Sequence, residues 1–289
     1  MKKKLCHGLG VSSVVEYNTA QEVEKDAAYK KELVELLYQL ADDDFILAFR
    51  GSEWLGIAPH IEEDVAFSSI SQDKMGHAVI YYEMLEELGE GKADDLAHLR
   101  EPKERKNAII LEEVNGPGNY LEEPEYDWAF AVVRNYFYDI SKAIRLSSLK
   151  NSSYKPLAQV AKKMILEQYY HLTHWNMWFT QLINATDEAK KRMRQAIDKV
   201  WKDFDGVLTL GPSAKEMARL GLIKEEQELK DKWMTEIKEV FEKLGVELPT
   251  NDGPGMERGD GRNGEHTEDL TTALQTLSEV YKVDPAAGW

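Results

Sequence analysis

The chain of 289 residues has one cysteine, Cys6, and no run of about 18 apolar residues. A single cysteine excludes an internal disulfide and favours a reducing compartment. Without a long apolar run no segment is expected to cross a membrane, and the lysines at positions 2–4 are not followed by the apolar core of a signal peptide. The sequence therefore predicts a cytoplasmic protein.

An excess of basic residues is also missing. The formal net charge is −16, which argues against nucleic acid and anionic membranes as partners, because both require a basic face. A basic protein partner stays compatible with this charge. Hydrophobic residues make up 43% of the chain, with seven tryptophans and thirteen tyrosines, so a folded core is expected rather than a disordered chain.

No segment alternates polar and apolar residues for long enough to predict a β-strand. Four long helical patterns instead cover residues 26–55, 62–88, 125–149 and 156–183. Shorter helices are expected over residues 187–204, 213–220, 225–244 and 267–282, with a glycine-rich loop over 245–266. The sequence predicts one all-α domain over 1–289, with a four-helix bundle over about 25–185 and appended helices over 186–289.

Each long helical pattern carries apolar residues at alternating spacings of three and four, which is the packing seam of a left-handed bundle. Polar residues interrupt every seam near its middle. The interrupting residues are Asp44, Lys74, His77, Asp139, Gln168 and His171. The sequence therefore predicts a polar layer inside the bundle.

The order of these residues follows the plan of a ferritin-like di-iron bundle. That plan has a glutamate on two helices and Glu-x-x-His on the other two. Asp44 and Asp139 take the positions of the single carboxylates, and His77 and His171 take those of the histidines. The alternative is that these are unrelated core residues, each satisfied by hydrogen bonds.

Two positions depart from the plan. Lys74 and Gln168 stand where the bridging glutamates belong. A lysine ammonium has no lone pair for a metal, and a neutral amide cannot balance the charge of ferrous ions. We therefore expect a degenerate site in which Lys74 replaces the metals and bridges Asp44 and Asp139, with no metal bound.

One metal alternative stays open. A mononuclear ion would use His77, His171 and one of the two aspartates, as in a two-His-one-carboxylate site. Glu167 would become a ligand only through a π-bulge, so it is expected to face a neighbouring helix or solvent. His174, one turn from His171, is expected at the surface or at an interface.

Several segments resemble the phenylacetate-catabolism branch of the ferritin-like proteins, which form phenylacetyl-CoA 1,2-epoxidases. The segments are 53–60 with the acidic 62–64 after it, 72–78, 135–139, 167–172 and 266–289. The Glu-Trp-x-Gly-x-Ala-Pro and His-Thr-Glu stretches within them are the most specific. The similarity covers the chain from about residue 30 to its end.

The resemblance implies a place in a multicomponent, ring-epoxidising monooxygenase of aerobic phenylacetate degradation. In this family an A subunit holds the di-iron centre and binds the CoA thioester, while a related C subunit lacks a working centre and supports it. A small B subunit and a reductase with FAD, an iron–sulfur cluster and NADPH complete the system. The replacements at Lys74 and Gln168 agree with the C role, which implies these three partners and no cofactor on this chain.

Other functions stay open at this point. The chain would alternatively activate oxygen in its own right through His77 and His171, or be a helical interaction protein with other partners. Self-association of the isolated chain is also open. The loop over 245–266 lacks a Gly-Lys-Ser/Thr element, so it is not a phosphate-binding P-loop. Its Arg258 and Arg262 are expected in a solvated connection, with contact to a partner or a CoA phosphate as the alternative.

No residue is assigned a catalytic role. The sequence shows no Ser/His/Asp arrangement, and Cys6 lies in the expected N-terminal arm.

Overall fold

A computed structural model describes residues 14–119, 122–250 and 252–287. Cys6 and Trp289 lie outside these ranges. Within the ranges the chain is helical and forms no β-strand beyond two isolated bridges. The α-helices are α1 Ala20–Val23, α2 Ala27–Ser52, α3 Ile61–Glu87, α4 Ala93–His98, α5 Ile109–Glu112, α6 Trp128–Leu149, α7 Lys155–Ile183, α8 Asp187–Trp201, α9 Asp205–Leu208, α10 Ala214–Arg219, α11 Glu226–Leu244 and α12 Glu268–Ser278. No helix in the described part of the chain is long and apolar enough to cross a membrane.

The four long helices form the expected bundle. α2 packs against α3, and α6 packs against α7. A long crossover over residues 88–127, which contains α4 and α5, joins the two pairs, as in ferritin-like folds. The all-α class and the bundle are therefore confirmed, and the predicted bounds of the long helices agree with the observed ones to within about three residues.

Local chemistry explains where these helices begin. The carboxylate of Asp26 accepts a hydrogen bond from the backbone N–H of Tyr29 and caps α2. Nδ1 of His60 does the same for Glu63 at the start of α3. Pro156 lies in the first turn of α7, where its missing N–H costs no hydrogen bond.

The appended helices share their core with the bundle. Phe137 of α6 is fully buried, and the indole N–H of Trp233 in α11 donates to its carbonyl at 3.1 Å. The ring of Phe137 contacts five other aromatic rings, which are those of Phe179, Trp201, Phe204, Trp233 and Phe241. α6 is thus covered on one side by the bundle and on the other by α8, α9 and α11.

Three consecutive aspartates of α2 are buried and point to different partners. Asp42 pairs with Arg100 and Arg105, while Asp43 and Asp44 meet other cations. All three are at most 1% exposed. Because a buried charge requires a partner, each aspartate fixes a separate part of the fold to α2.

The glycine-rich loop supplies one of these partners, so the expectation of a solvated connection is wrong at Arg262. Arg262 is fully buried and donates from two nitrogens to Asp43, at 2.9 and 2.8 Å. Arg258 pairs with Asp203 and Glu113, at 2.7 Å each. Both arginines therefore attach the loop to the protein and are not free for a phosphate.

A polar layer closed by two lysines

The six residues predicted for the polar layer all lie inside the bundle. They come from α2, α3, α6 and α7, and none is more than 3% exposed. Their seam positions direct them to the bundle axis, because residues three and four apart share one face of a helix. The structure thus brings together Asp44, Lys74, His77, Asp139, Gln168 and His171, and it determines how they pair.

Lys74 pairs with one aspartate only. Its Nζ lies 3.1 Å from Oδ1 of Asp139 and donates to Oδ1 of Asn135 at 3.0 Å. Burial lowers the pKa of Lys74, and the charge of Asp139 opposes this shift. The expected bridge from Lys74 to both aspartates is therefore wrong, because Asp44 has a different partner.

That partner is Lys142, which the sequence analysis did not include in the site. Its Nζ donates to both carboxylate oxygens of Asp44 at 2.7 Å, and the hydroxyl of Tyr138 donates to one of them at 2.8 Å. Burial raises the pKa of Asp44, and Lys142 and Tyr138 oppose the rise. The available signal was the position of Lys142 on the α6 seam, three residues after Asp139.

Lys142 also fixes the protonation of His77. Its Nζ lies 2.8 Å from Nδ1 of that ring. Since an ammonium can only donate, Nδ1 accepts and the ring proton lies on Nε2, which donates to Glu167 at 2.6 Å. Burial and the adjacent Lys142 lower the pKa of His77, so the ring stays neutral. Glu167 faces the neighbouring helix, as expected, with its side chain 49% exposed.

The second histidine has a similar outer partner. Nε2 of His171 lies 2.8 Å from Oδ2 of Asp73, and burial lowers the pKa of His171. Gln168 donates to the backbone carbonyl of Asp139 at 3.1 Å. The polar layer therefore contains two buried Asp–Lys pairs and two neutral histidines, each bonded to a carboxylate at the outer side of α3 or α7.

His174 lies at the contact between α7 and α3, which agrees with the expectation of a surface or interface residue. Its side chain is 15% exposed, and Nε2 lies 3.1 Å from Oε1 of Glu63. The indole N–H of Trp178 donates to the other oxygen of Glu63 at 2.5 Å. These three residues join α3 to α7 near one end of the bundle.

A di-iron centre of the ferritin-like type does not fit these residues. Nζ of Lys142 lies between the carboxylate of Asp44 and Nδ1 of His77, the two groups that would bind one iron. Nζ of Lys74 lies against the carboxylate of Asp139. The two lysines already balance the two aspartates, so further cations would be buried without compensation. Both ring nitrogens of His77 are engaged, so it is not free for a mononuclear ion either.

The sequence of this chain is similar to known proteins over most of its length. The profile of the family described as phenylacetic acid catabolic protein matches residues 13–289. The chain is also 28% identical over 252 residues to the C subunit of the 1,2-phenylacetyl-CoA epoxidase of Escherichia coli (strain K12). This match covers 87% of the chain and 96% of the relative.

Proposed function

The chain belongs to the phenylacetic acid catabolic protein family, and from that membership we propose that it is a structural, non-catalytic subunit of a phenylacetyl-CoA 1,2-epoxidase. This complex is a ring-epoxidising monooxygenase of aerobic phenylacetate degradation. The similarity to a relative named as the C subunit of such an epoxidase supports the proposal. The name of that relative describes one part of a larger assembly.

One observation carries the non-catalytic part of the proposal. Lys142 and Lys74 pair with Asp44 and Asp139, the two carboxylates that a di-iron centre would need. The two Asp–Lys pairs are therefore neutral without metal, and no group of three or more His, Cys, Asp or Glu residues within the described ranges could hold a metal ion. Without a metal, this layer has no group that would activate oxygen. What the chain contributes is a stable helical scaffold for a partner that holds the metals.

The proposed partners follow from this role. They are a ferritin-like A subunit with the di-iron centre, a small B subunit, and a reductase with FAD, an iron–sulfur cluster and NADPH, all in the cytoplasm. The alternative, an oxygenase that uses His77 and His171 of this chain, gains no support, because Lys142 and Glu167 occupy both ring nitrogens of His77.

Metal analysis tests the proposal. The chain is purified from iron-supplemented cells, incubated anaerobically with excess ferrous ion, desalted and analysed by elemental mass spectrometry, with the A subunit as the positive control. We expect well below one iron per chain. Two tightly held irons per chain would overturn the proposal.

A variant series identifies the group that excludes the metal. Lys74→Glu with Gln168→Glu restores both bridging carboxylates but leaves Lys142 between Asp44 and His77. We expect this double variant to take up no iron and the triple variant with Lys142→Ala to take it up. Iron in the double variant would contradict the blocking role of Lys142, and no iron in the folded triple variant would count against an inherited metal site.

A further inference from the structure

The outer sides of α3 and α7 form a surface with many exposed apolar side chains, which we call the α3/α7 face. Its exposed apolar residues, each between 45% and 75% exposed, are Ile61, Val65 and Val79 of α3 and Leu166, Tyr169, Tyr170 and Met177 of α7. The 19 residues of α3 from Ile61 to Val79 span about 27 Å. An accumulation of exposed apolar side chains on one side of a globular protein is typical of an interaction site.

Beyond Glu62 and Asp64, which lie next to Ile61 at one end, this face has very few charges, although 30% of the residues of the chain are charged. Over residues 65–79 of α3 the exposed polar residues are Ser69 and Gln72, and Lys74 is buried. Over residues 165–181 of α7 they are neutral except for Glu167. Asp73 and Glu167 are therefore the two carboxylates that reach this part of the surface.

Neither of these two carboxylates has a direct ion pair with a lysine or arginine of the described residues, although Lys142 has a weak lowering effect on the pKa of Glu167. Their side chains are 45% and 49% exposed, and on the inner side each meets a neutral histidine, His171 or His77. Partial burial and the nearby charge of Asp73 both raise the pKa of Glu167, so the two negative charges lie close enough to repel each other.

This arrangement restricts what can cover the face. Covering it would remove water from Asp73 and Glu167, and dehydrated carboxylates are costly unless a cation replaces the water. His77 cannot supply that cation, because Lys142 donates to its Nδ1. A second copy docked symmetrically would bring its own Asp73 and Glu167 to the same interface and add like charges.

We propose that the α3/α7 face docks an apolar protein surface that carries arginine or lysine side chains opposite Asp73 and Glu167. In the proposed function this partner is the metal-bearing A subunit, and only that identification rests on the proposed function. The apolar residues supply the buried area, and the two carboxylates select a partner by charge.

Three substitutions at exposed or half-exposed positions separate the contribution of the two carboxylates from that of the apolar side chains. Asp73→Asn and Glu167→Gln remove the charges but keep an oxygen that accepts from each histidine. Tyr170→Ser removes an exposed ring that is 71% accessible. The matched controls lie elsewhere on the surface: Glu239→Gln on the exposed side of α11, and Val283→Ser, which is 84% exposed.

Titration calorimetry with the purified A subunit, at low and at physiological salt, is the first measurement. We expect the double charge variant and Tyr170→Ser each to weaken affinity roughly tenfold or more, and the charge variant to lose most of the salt dependence. The controls should stay within about twofold of the unmodified chain. If the unmodified chain does not bind the A subunit at all, the proposed function fails and the second measurement decides the inference.

Sedimentation velocity of the chain alone is that second measurement. Without its two carboxylates the apolar face lacks the repulsion that keeps copies apart. The double charge variant should therefore self-associate roughly tenfold more strongly than the unmodified chain. Adding Tyr170→Ser to the double charge variant should lower self-association again. A dimer of the unmodified chain that Tyr170→Ser dissolves would show that the occupant is a second copy and overturn the proposal. Substitutions that change neither binding to the A subunit nor self-association would overturn it as well.

Discussion

At the scale of single residues, Lys142 connects more of the polar layer than any residue that the sequence pointed to. It binds both oxygens of Asp44 and Nδ1 of His77. We expect Lys142→Met to lower the free energy of unfolding by about 3–5 kcal/mol, because the buried charge of Asp44 would keep only the hydrogen bond from Tyr138. Urea denaturation at neutral pH measures this change.

Two further variants make that measurement specific. Lys238→Met, at an exposed position of α11, should stay within about 0.5 kcal/mol of the unmodified chain. Asp44→Asn combined with Lys142→Met should recover much of the loss, since it leaves no charge unpaired. A Lys142→Met chain as stable as its parent would contradict the buried ion pair.

The histidines of the layer make stability depend on pH. Burial lowers the pKa of His171 below its unfolded value of about 6.5. Below that pH the unfolded chain binds a proton that the native chain does not, so stability is highest above about pH 6.5 and is lost as the pH falls, by up to about 1.4 kcal/mol per pH unit for this group.

His171→Gln removes this contribution and keeps an N–H for Asp73. We expect its unfolding free energy to fall less steeply than that of the unmodified chain between pH 6.5 and pH 5. Urea denaturation at several pH values in this range compares the two slopes. Equal slopes would mean that His171 titrates alike in the native and unfolded chain.

The sequence predicted most of the residues that form this site but not how they pair. Helical periodicity identified all six predicted positions, because it determines which side of a helix faces the core. It did not identify the partner of Asp44. A lysine reaches its partner through four flexible methylene groups, and seam position alone does not distinguish Lys74 from Lys142 as that partner.

At the scale of elements, α2 and α3 approach each other closely at Gly51. A Cβ atom there would lie 2.9 Å from the ring of Phe67 and overlap the hydroxyl of Ser71, whereas one at Gly76 would have no neighbour within 4 Å. We expect Gly51→Ala to destabilise the protein by about 1–3 kcal/mol through overpacking. Gly76→Ala should stabilise it by about 0.5–1 kcal/mol, because alanine favours the helix.

Urea denaturation of both variants tests this contrast, and each is the control for the other. Both changes add one methyl group to a helical residue, Gly51 in the last turn of α2 and Gly76 in the interior of α3. Intrinsic helix propensity therefore favours alanine at both positions, and the close contact of α2 with α3 opposes it at Gly51. A stabilising effect at both positions would contradict that contact.

The sequence located the elements better than it located the loops. The long helices have caps and breakers at their ends, such as Asp26, Pro156 and Gly245, which adopts a left-handed conformation after α11. The short helices α4 and α5 are below the length at which periodicity is visible. The buried position of Arg262 was missed because its partner, Asp43, lies 219 residues away in the chain.

At the scale of the whole molecule, charge is distributed unevenly. The chain carries a formal net charge of −16, yet the α3/α7 face shows two carboxylates and no exposed cation in the segments described above. Repulsion elsewhere on the surface opposes non-specific contacts, while this face permits close approach. The sequence alone did not reveal the face, because it exists only once α3 and α7, about 90 residues apart, lie side by side.

The three adjacent aspartates of α2 also set an order on folding. Asp42, Asp43 and Asp44 share one turn of helix, so they lose water together, and their cations lie 58, 219 and 98 residues away at Arg100, Arg262 and Lys142. Closing such long loops costs conformational entropy before the ion pairs form, and this slows folding. During synthesis we therefore expect the three aspartates to gain their cations one after another, and the set is complete only once residue 262 has left the ribosome.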